Sequence, residues 1–214
     1  MHTISLEEVL PNVFAHQTNL SSEVWSQTLS LQRGGHYLFS AKSGAGKSSL
    51  CSFIYGLRND YLGTISFDQK DIRALRPSGW SQLRCTALAF LPQELKLFKD
   101  LTSIENVLLK NKLTNTCTQQ EIEAWFEQLG IADKKNSTVN QLSLGEQQRV
   151  AIIRTLCQQA DFYILDEPVS HLDPINNKIV GSLFEQKTRS EGSSLLVTSV
   201  GYSLDFPFTH TLQL

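Results

Sequence analysis

No run of 18 apolar residues occurs in this 214-residue chain, so nothing in it reads as a membrane-spanning helix. Neither sign of charge is in excess. The 19 Lys and Arg against 21 Asp and Glu leave a formal net charge of −2, which offers no basic footprint for nucleic acid. Cysteine is sparse: Cys51, Cys85, Cys117 and Cys157 lie more than 30 residues apart, and no C-x-x-C pair exists to hold zinc. With Cys51 and Cys157 in apolar helical patterns, the expectation is of reduced core cysteines in a cytosolic protein. The first residues, Met1 to Glu8, lack the basic start and apolar run of a signal peptide. What is present is 41% hydrophobic residues, enough for a sizeable core, at a length that suits one α/β domain with a small lobe.

The most telling stretch is Ala41-Lys42-Ser43-Gly44-Ala45-Gly46-Lys47-Ser48. It reads as a phosphate-binding loop, G-x-x-x-x-G-K-[ST], with Ala41 in place of the first Gly. Gly44 and Gly46 leave backbone N–H groups free to wrap a polyphosphate, with Ser43, Ala45 and Ser49 in the same cradle. Lys47 supplies a cation for the β- and γ-phosphates, and Ser48 a hydroxyl for Mg²⁺. His36–Ser40 reads as a buried strand before the loop. Ser49–Tyr55 reads as a helix after it, stopping at Gly56. Strand, loop and helix N-terminus together make a preformed anion site.

Residues 3–39 read as β-rich, with Ile4, Leu6, Val24, Trp25, Leu29, Leu31, Leu38 and Phe39 in short runs between polar turns. Gly63–Asp68 reads as another strand. From about residue 94 to 141 the pattern is helical. Ser103 is expected to cap a helix reaching Leu108. Thr118-x-x-Glu121 has the form of a capping box, followed by an Ile122, Trp125, Phe126, Leu129 face that Gly130 closes. Strands at 162–165 and 194–198 resume α/β alternation, and 209–214 reads as a last edge strand. The expectation is one domain over 1–214, with no added regulatory unit. Phe162-Tyr163-Ile164-Leu165 ends in Asp166-Glu167, about 120 residues after the phosphate loop. Asp166 at a strand end can hold Mg²⁺ and Glu167 can polarise an attacking water as general base.

In five ordered motifs the chain resembles the nucleotide-binding subunit of an ATP-binding cassette transporter. They are the phosphate loop at 41–48, Gln93 after Leu88–Pro92, Leu142-Ser143-Leu144-Gly145-Glu146-Gln147-Gln148-Arg149, Ile164–Pro168, and Ser170-His171-Leu172-Asp173. Leu101–Val107 after the Gln, and Glu146 in the fifth signature position, resemble the lipoprotein-release and macrolide-export type. The resemblance implies a P-loop ATPase core of α/β class, with an N-terminal antiparallel β subdomain and a helical insert at about 94–141. It implies ATP and Mg²⁺ as ligands, with Ser48, Gln93 and Asp166 at the metal. Catalysis would fall to Glu167, Gln93 and Ser199. Phe14 would stack on adenine. Ser143, Gly145 and Glu146, at a helix N-terminus, would meet ATP held by a second cassette, so a homo- or heterodimer is implied. The remaining partner would be a transmembrane permease, reached from the cytoplasm at the inner face of the membrane.

Three positions depart from the family pattern. Ala41 replaces the first loop Gly, at a cost of about 1–2 kcal/mol if that backbone is left-handed. Leu144 replaces a signature Gly and could crowd a facing phosphate. Ser199 stands where the family has a switch His, and Ser cannot carry positive charge. Two alternatives therefore stand beside an active transport ATPase. One is a regulatory or scaffold cassette that binds ATP and barely hydrolyses it. The other is a soluble cassette ATPase of repair or translation, although only 50 residues separate Gln93 from Ser143 and leave no room for the long coiled coil of the repair type.

Overall fold

The structure, a computed structural model, describes residues 1–17 and 20–214. Strands β1 (Thr3–Pro11) and β2 (Thr28–Gln32) join β4 (Tyr61–Phe67) and the short β5 (Lys70–Asp71) in an antiparallel sheet ordered β2-β1-β4-β5. The second sheet is wholly parallel. It contains β3 (His36–Ser40), β6 (Leu88–Leu91), β7 (Phe162–Asp166), β8 (Ser194–Ser199) and β9 (His210–Gln213), in the order β6-β7-β8-β3-β9.

Six α-helices lie among the described residues: α1 (Lys47–Ile54), α2 (Pro77–Thr86), α3 (Ser103–Thr114), α4 (Gln119–Gln128), α5 (Leu144–Leu156) and α6 (Pro174–Glu191). Strand side chains alternate between faces, so each central strand feeds two cores. Tyr163 and Leu165 of β7 pack with Ile122 and Phe126 of α4, Val150 and Ile153 of α5, and Phe184 of α6. Phe162 and Ile164 pack on the other side, with Leu50 and Phe53 of α1 and with Ile4, Leu6 and Ile65 of the antiparallel sheet. The N-terminal β subdomain thus covers one face of the parallel sheet and the helical insert packs into the core on the other.

Two local expectations are corrected. The cap of α3 is Thr102, not Ser103, and the helix runs on to Thr114 rather than ending near Leu108. The Thr102 hydroxyl accepts the Glu105 N–H at 3.3 Å, and the Glu105 carboxylate accepts the Thr102 N–H at 2.8 Å. Ser103 could not build such a box, because its third residue is Asn106. That side chain is buried and donates to the Phe98 and Thr102 carbonyls. Val24 and Trp25 are buried by a turn instead of a strand, since the Ser22 hydroxyl accepts both of their N–H groups, at 3.0 and 2.9 Å. The expected capping boxes at Thr118–Glu121 and Ser143–Glu146 both form. Gly130 takes φ +64°, as the end of α4 requires. Helix α2, which Pro77 starts, has no fully buried residue and packs on the core only through the half-buried Trp80 and Leu83.

Candidate nucleotide site

The four site-bearing strands are neighbours, and parallel pairing puts their carboxyl ends on one edge. Gln93 follows β6, Asp166 and Glu167 end β7, Ser199 ends β8, and the phosphate loop follows β3. Ligands of open parallel sheets bind at such an edge. Between β3 and α1 the loop turns through Gly44 at φ +84° and Gly46 at φ +94°. Gly46 has a second constraint. A Cβ there would lie 3.0 Å from both the Phe14 and Trp25 rings. Trp25 also donates its indole N–H to the Ala45 carbonyl at 2.9 Å, so the loop rests on a fixed aromatic floor. Ala41 is not among the residues of positive φ, which removes the backbone cost that this departure could have carried.

Lys47 opens α1 and is almost fully buried. Its ammonium donates to the Lys42 carbonyl at 3.0 Å and lies 3.6 Å from the Glu167 carboxylate. Gln93 donates its side-chain amide to the other Glu167 oxygen at 3.4 Å. Glu167 itself is held at φ +50°, a conformation that costs energy for a residue with a Cβ and recurs at functional sites. Its N–H is bound by both the carbonyl and the hydroxyl of Thr198, each at 3.2 Å. The same Thr198 hydroxyl donates to Asp166 at 2.6 Å. Asp166 is therefore buried and oriented one step behind Glu167. Under it, burial and the Asp166 charge push the Cys51 thiol up, which leaves that cysteine inert.

One cavity of about 330 Å³ gathers Phe14, Ser43, Gly44, Gly46, Lys47, Ser48, Ser49, Gln93 and Glu167, together with Val13. Phe14 is packed beneath the loop, whereas Val13 beside it is 71% exposed. Asp166 and Ser199 sit just behind this wall, and the Ser199 carbonyl accepts the Ala41 N–H at 3.2 Å. Ser143, Gly145 and Glu146 do not line the cavity. They form the N-terminus of α5, where the Ser143 N–H and hydroxyl bind the Glu146 carboxylate, each at 2.8 Å, and hold it below its usual range. Gly145 lies against the His171 carbonyl, 3.0 Å from where a Cβ would stand. Leu144 at the helix start is 49% exposed. Asp173 caps α6, and the N–H groups of Asn176 and Ile175 lower its pKa. Among the described residues no cluster of three or more His, Cys, Asp or Glu could hold a metal by itself.

Residues 26–170 match the family described as ABC transporter, well over half the chain. The chain belongs to this family. The "Lipoprotein-releasing system ATP-binding protein LolD" of Leptospira interrogans is 32% identical over 174 residues, covering 80% of this cassette and 73% of the relative. The "Macrolide export ATP-binding/permease protein MacB" of Aggregatibacter actinomycetemcomitans is 32% identical over 175 residues, covering 80% of this chain but 27% of that longer protein. Among solved structures, a dimeric ATP-binding cassette in a post-hydrolysis state, bound to ADP and Pi, matches with a TM-score of 0.74 at 24% identity. It covers 92% of this chain and 87% of that one, a likeness that establishes the fold. The chain is thus a nucleotide-binding subunit of this family, with LolD and MacB among the proteins it is similar to. No helix among its described residues is long and apolar enough to cross a membrane.

Sequence reading quotes Gln148 only as part of a motif, and the structure gives it a role. It is buried in α5, donates to the Pro168 carbonyl at 2.6 Å and the Glu167 carbonyl at 3.3 Å, and accepts the His171 N–H at 3.0 Å. One side chain thus ties α5 to the loop that follows the general-base candidate. Gln148→Ala leaves buried polar groups unpaired and is expected to cost about 2–4 kcal/mol of stability. Turnover should fall more than ATP affinity. Denaturant melts and ATP titration of the variant measure both. An unchanged melt would remove this clamp.

Proposed function

We propose that this cassette hydrolyses ATP to drive a separate membrane permease, docking on it from the cytoplasmic side as one of two facing cassettes. The observation that carries the reading is the Lys47–Glu167–Gln93 cluster at the mouth of the phosphate loop, with Ser143 and its helix N-terminus directed elsewhere. One chain holds the phosphate cradle and the base, while its signature helix is free to serve another copy. The LolD and MacB likenesses support a transport role.

The chemistry follows from the residues. Backbone N–H groups of residues 43–48 take the phosphate oxygens, and the positive end of α1 adds to them. Lys47 must leave Glu167 to meet the β- and γ-phosphates, so nucleotide binding releases the carboxylate. Freed, Glu167 accepts the proton of the attacking water, and Gln93 keeps the carboxylate in place. The Ser48 hydroxyl, the Gln93 amide oxygen and the Asp166 carboxylate are hard oxygen donors of the sort Mg²⁺ takes, and would hold it. When bound, the ion neutralises phosphate charge. Phe14, with the more exposed Val13, forms the wall on which adenine would rest. Ser143, Gly145 and Glu146 of a second cassette would close the site over the γ-phosphate.

Purification from membranes with the cassette as bait tests the reading. The expected result is a stoichiometric integral membrane protein, together with Mg-dependent phosphate release. Recovery of the cassette alone, or with ribosomes or DNA, would overturn it.

Ser199 makes the expected turnover slow. A lost donor to a transition-state phosphate typically costs about 10²–10³ in rate, and the Ser side chain is shorter than imidazole. Ser199→His is expected to raise steady-state phosphate release several-fold at saturating Mg-ATP, with affinity unchanged. Brisk turnover by the unaltered chain and no gain in the variant would show that another group, such as His171, already fills the role.

A further inference from the structure

A loop that binds polyphosphate must present N–H groups and turn its carbonyls away, because a carbonyl oxygen facing the anion repels it. Three loop carbonyls have partners. Lys42 accepts the Lys47 ammonium at 3.0 Å, Gly46 accepts the Leu50 N–H at 2.9 Å, and Ala45 accepts the Trp25 indole N–H at 2.9 Å. The first two donors belong to α1. The third comes from 20 residues upstream, in the connection between β1 and β2. Trp25 is buried and fixed at both ends. Its backbone N–H is bound by the Ser22 hydroxyl, and its ring meets Phe53 of α1 edge-on at 6.5 Å. An indole N–H donates and cannot accept, and leaving it buried without an acceptor is costly, so it holds the Ala45 carbonyl firmly.

That carbonyl decides where the next N–H points. Among the described residues no peptide bond is cis, and a trans peptide carries its C=O and N–H on opposite sides. With the Ala45 carbonyl turned onto Trp25, the Gly46 N–H points away from the aromatic floor. Gly46 lines the nucleotide cavity, and no backbone carbonyl among the described residues accepts its N–H. Gly46 sits at φ +94°, and glycine populates negative φ about as readily. The Ala45–Gly46 peptide is therefore sterically free to turn over. Turned over, it would aim the Ala45 carbonyl into the cradle and withdraw a donor from it.

We propose that Trp25 is a positioning residue for phosphate binding: its indole N–H holds the Ala45–Gly46 peptide in the orientation that offers the Gly46 N–H to a polyphosphate. The inference rests on the phosphate-loop reading of residues 41–48 and adds to it a residue outside the motif. Trp25 itself touches no phosphate. It keeps the binding-competent loop populated, so its loss lowers the apparent affinity in proportion to the competent fraction that remains. Once the site is saturated the loop has the same geometry, and the chemical step is kept.

Trp25→Phe retains an aromatic floor and deletes the donor. Calorimetric titration is expected to show Mg-ATP and Mg-pyrophosphate both weakened by about 10-fold, the equivalent of one hydrogen bond. KM for ATP should rise by the same factor, with kcat unchanged. Phe53→Leu is the packing control. It loosens the contact on the Trp25 ring but leaves the indole N–H, and should lower the thermal midpoint without changing pyrophosphate affinity. Unchanged affinity in Trp25→Phe, an equal loss in Phe53→Leu, or a loss confined to ATP would each overturn the role of the indole N–H. Failure of the unaltered chain to bind either polyphosphate would instead overturn the phosphate-loop reading beneath it. If Trp25→Phe does not fold, NMR of the unaltered chain labelled with ¹⁵N-tryptophan decides, with signals assigned through Trp80→Phe and Trp125→Phe. The Trp25 indole N–H should resist solvent exchange with and without Mg-pyrophosphate, and free exchange in the bound state would overturn the proposal.

Discussion

Lys47→Ala is expected to weaken Mg-ATP binding by at least about 100-fold. Lys47 is the cation placed inside the phosphate cradle, with its stem buried and its ammonium aimed between the Lys42 carbonyl and Glu167. A charge-assisted hydrogen bond contributes about 1.5–3 kcal/mol, and the two phosphate contacts of such a lysine together correspond to about 10²–10⁴ in affinity. The variant also leaves the Glu167 carboxylate facing the phosphates with no cation between them, which adds repulsion. Ala is a good helix former at the start of α1, so the fold should persist. Calorimetric titration measures the loss, and a thermal melt shows that the protein is still folded. Unchanged affinity would remove the phosphate-loop assignment.

Glu167→Gln should lower turnover by about 10²–10⁴, the usual contribution of a positioned general base, while ATP is still bound. Gln preserves the size of the side chain and its contact with Gln93 but cannot accept the water proton. Uncleaved ATP should then hold two cassettes together. Sizing chromatography in Mg-ATP is expected to move from monomer to dimer. A variant that still turns over at the original rate would place the base elsewhere. A variant that traps ATP as a monomer would show that its facing partner is a different chain, or that Leu144 keeps two copies apart.

The phosphate loop was legible because glycine and lysine at fixed spacing have few other uses, and both loop glycines do take positive φ. Capping boxes at 118–121 and 143–146 were legible because four residues contain the entire hydrogen-bond exchange. The α3 cap was misread by one residue because a Ser and a Thr stand side by side. The choice rested on where Glu105 falls and on the burial of Asn106. Trp25 looked like part of a strand because it is apolar. Its position as a floor under Ala45 and Gly46 depends on a Ser22 turn and on contacts some 20 residues away.

The residue types, their order and their spacing are sufficient to place this chain among ATP-binding cassettes. Polyphosphate chemistry demands backbone N–H groups, a cation and strand-end carboxylates, and each demand leaves a local pattern. Only the tertiary structure decided which of these groups share a cavity. Parallel pairing in the order β6-β7-β8-β3 brings Gln93, Glu167 and Lys47 together from positions up to 120 residues apart. The same packing leaves Ser143 and Gly145 off the cavity, and it sets Gln148 against the Glu167 carbonyl. Contacts of this kind depend on how strands and helices stack, and short-range spacing carries no record of that.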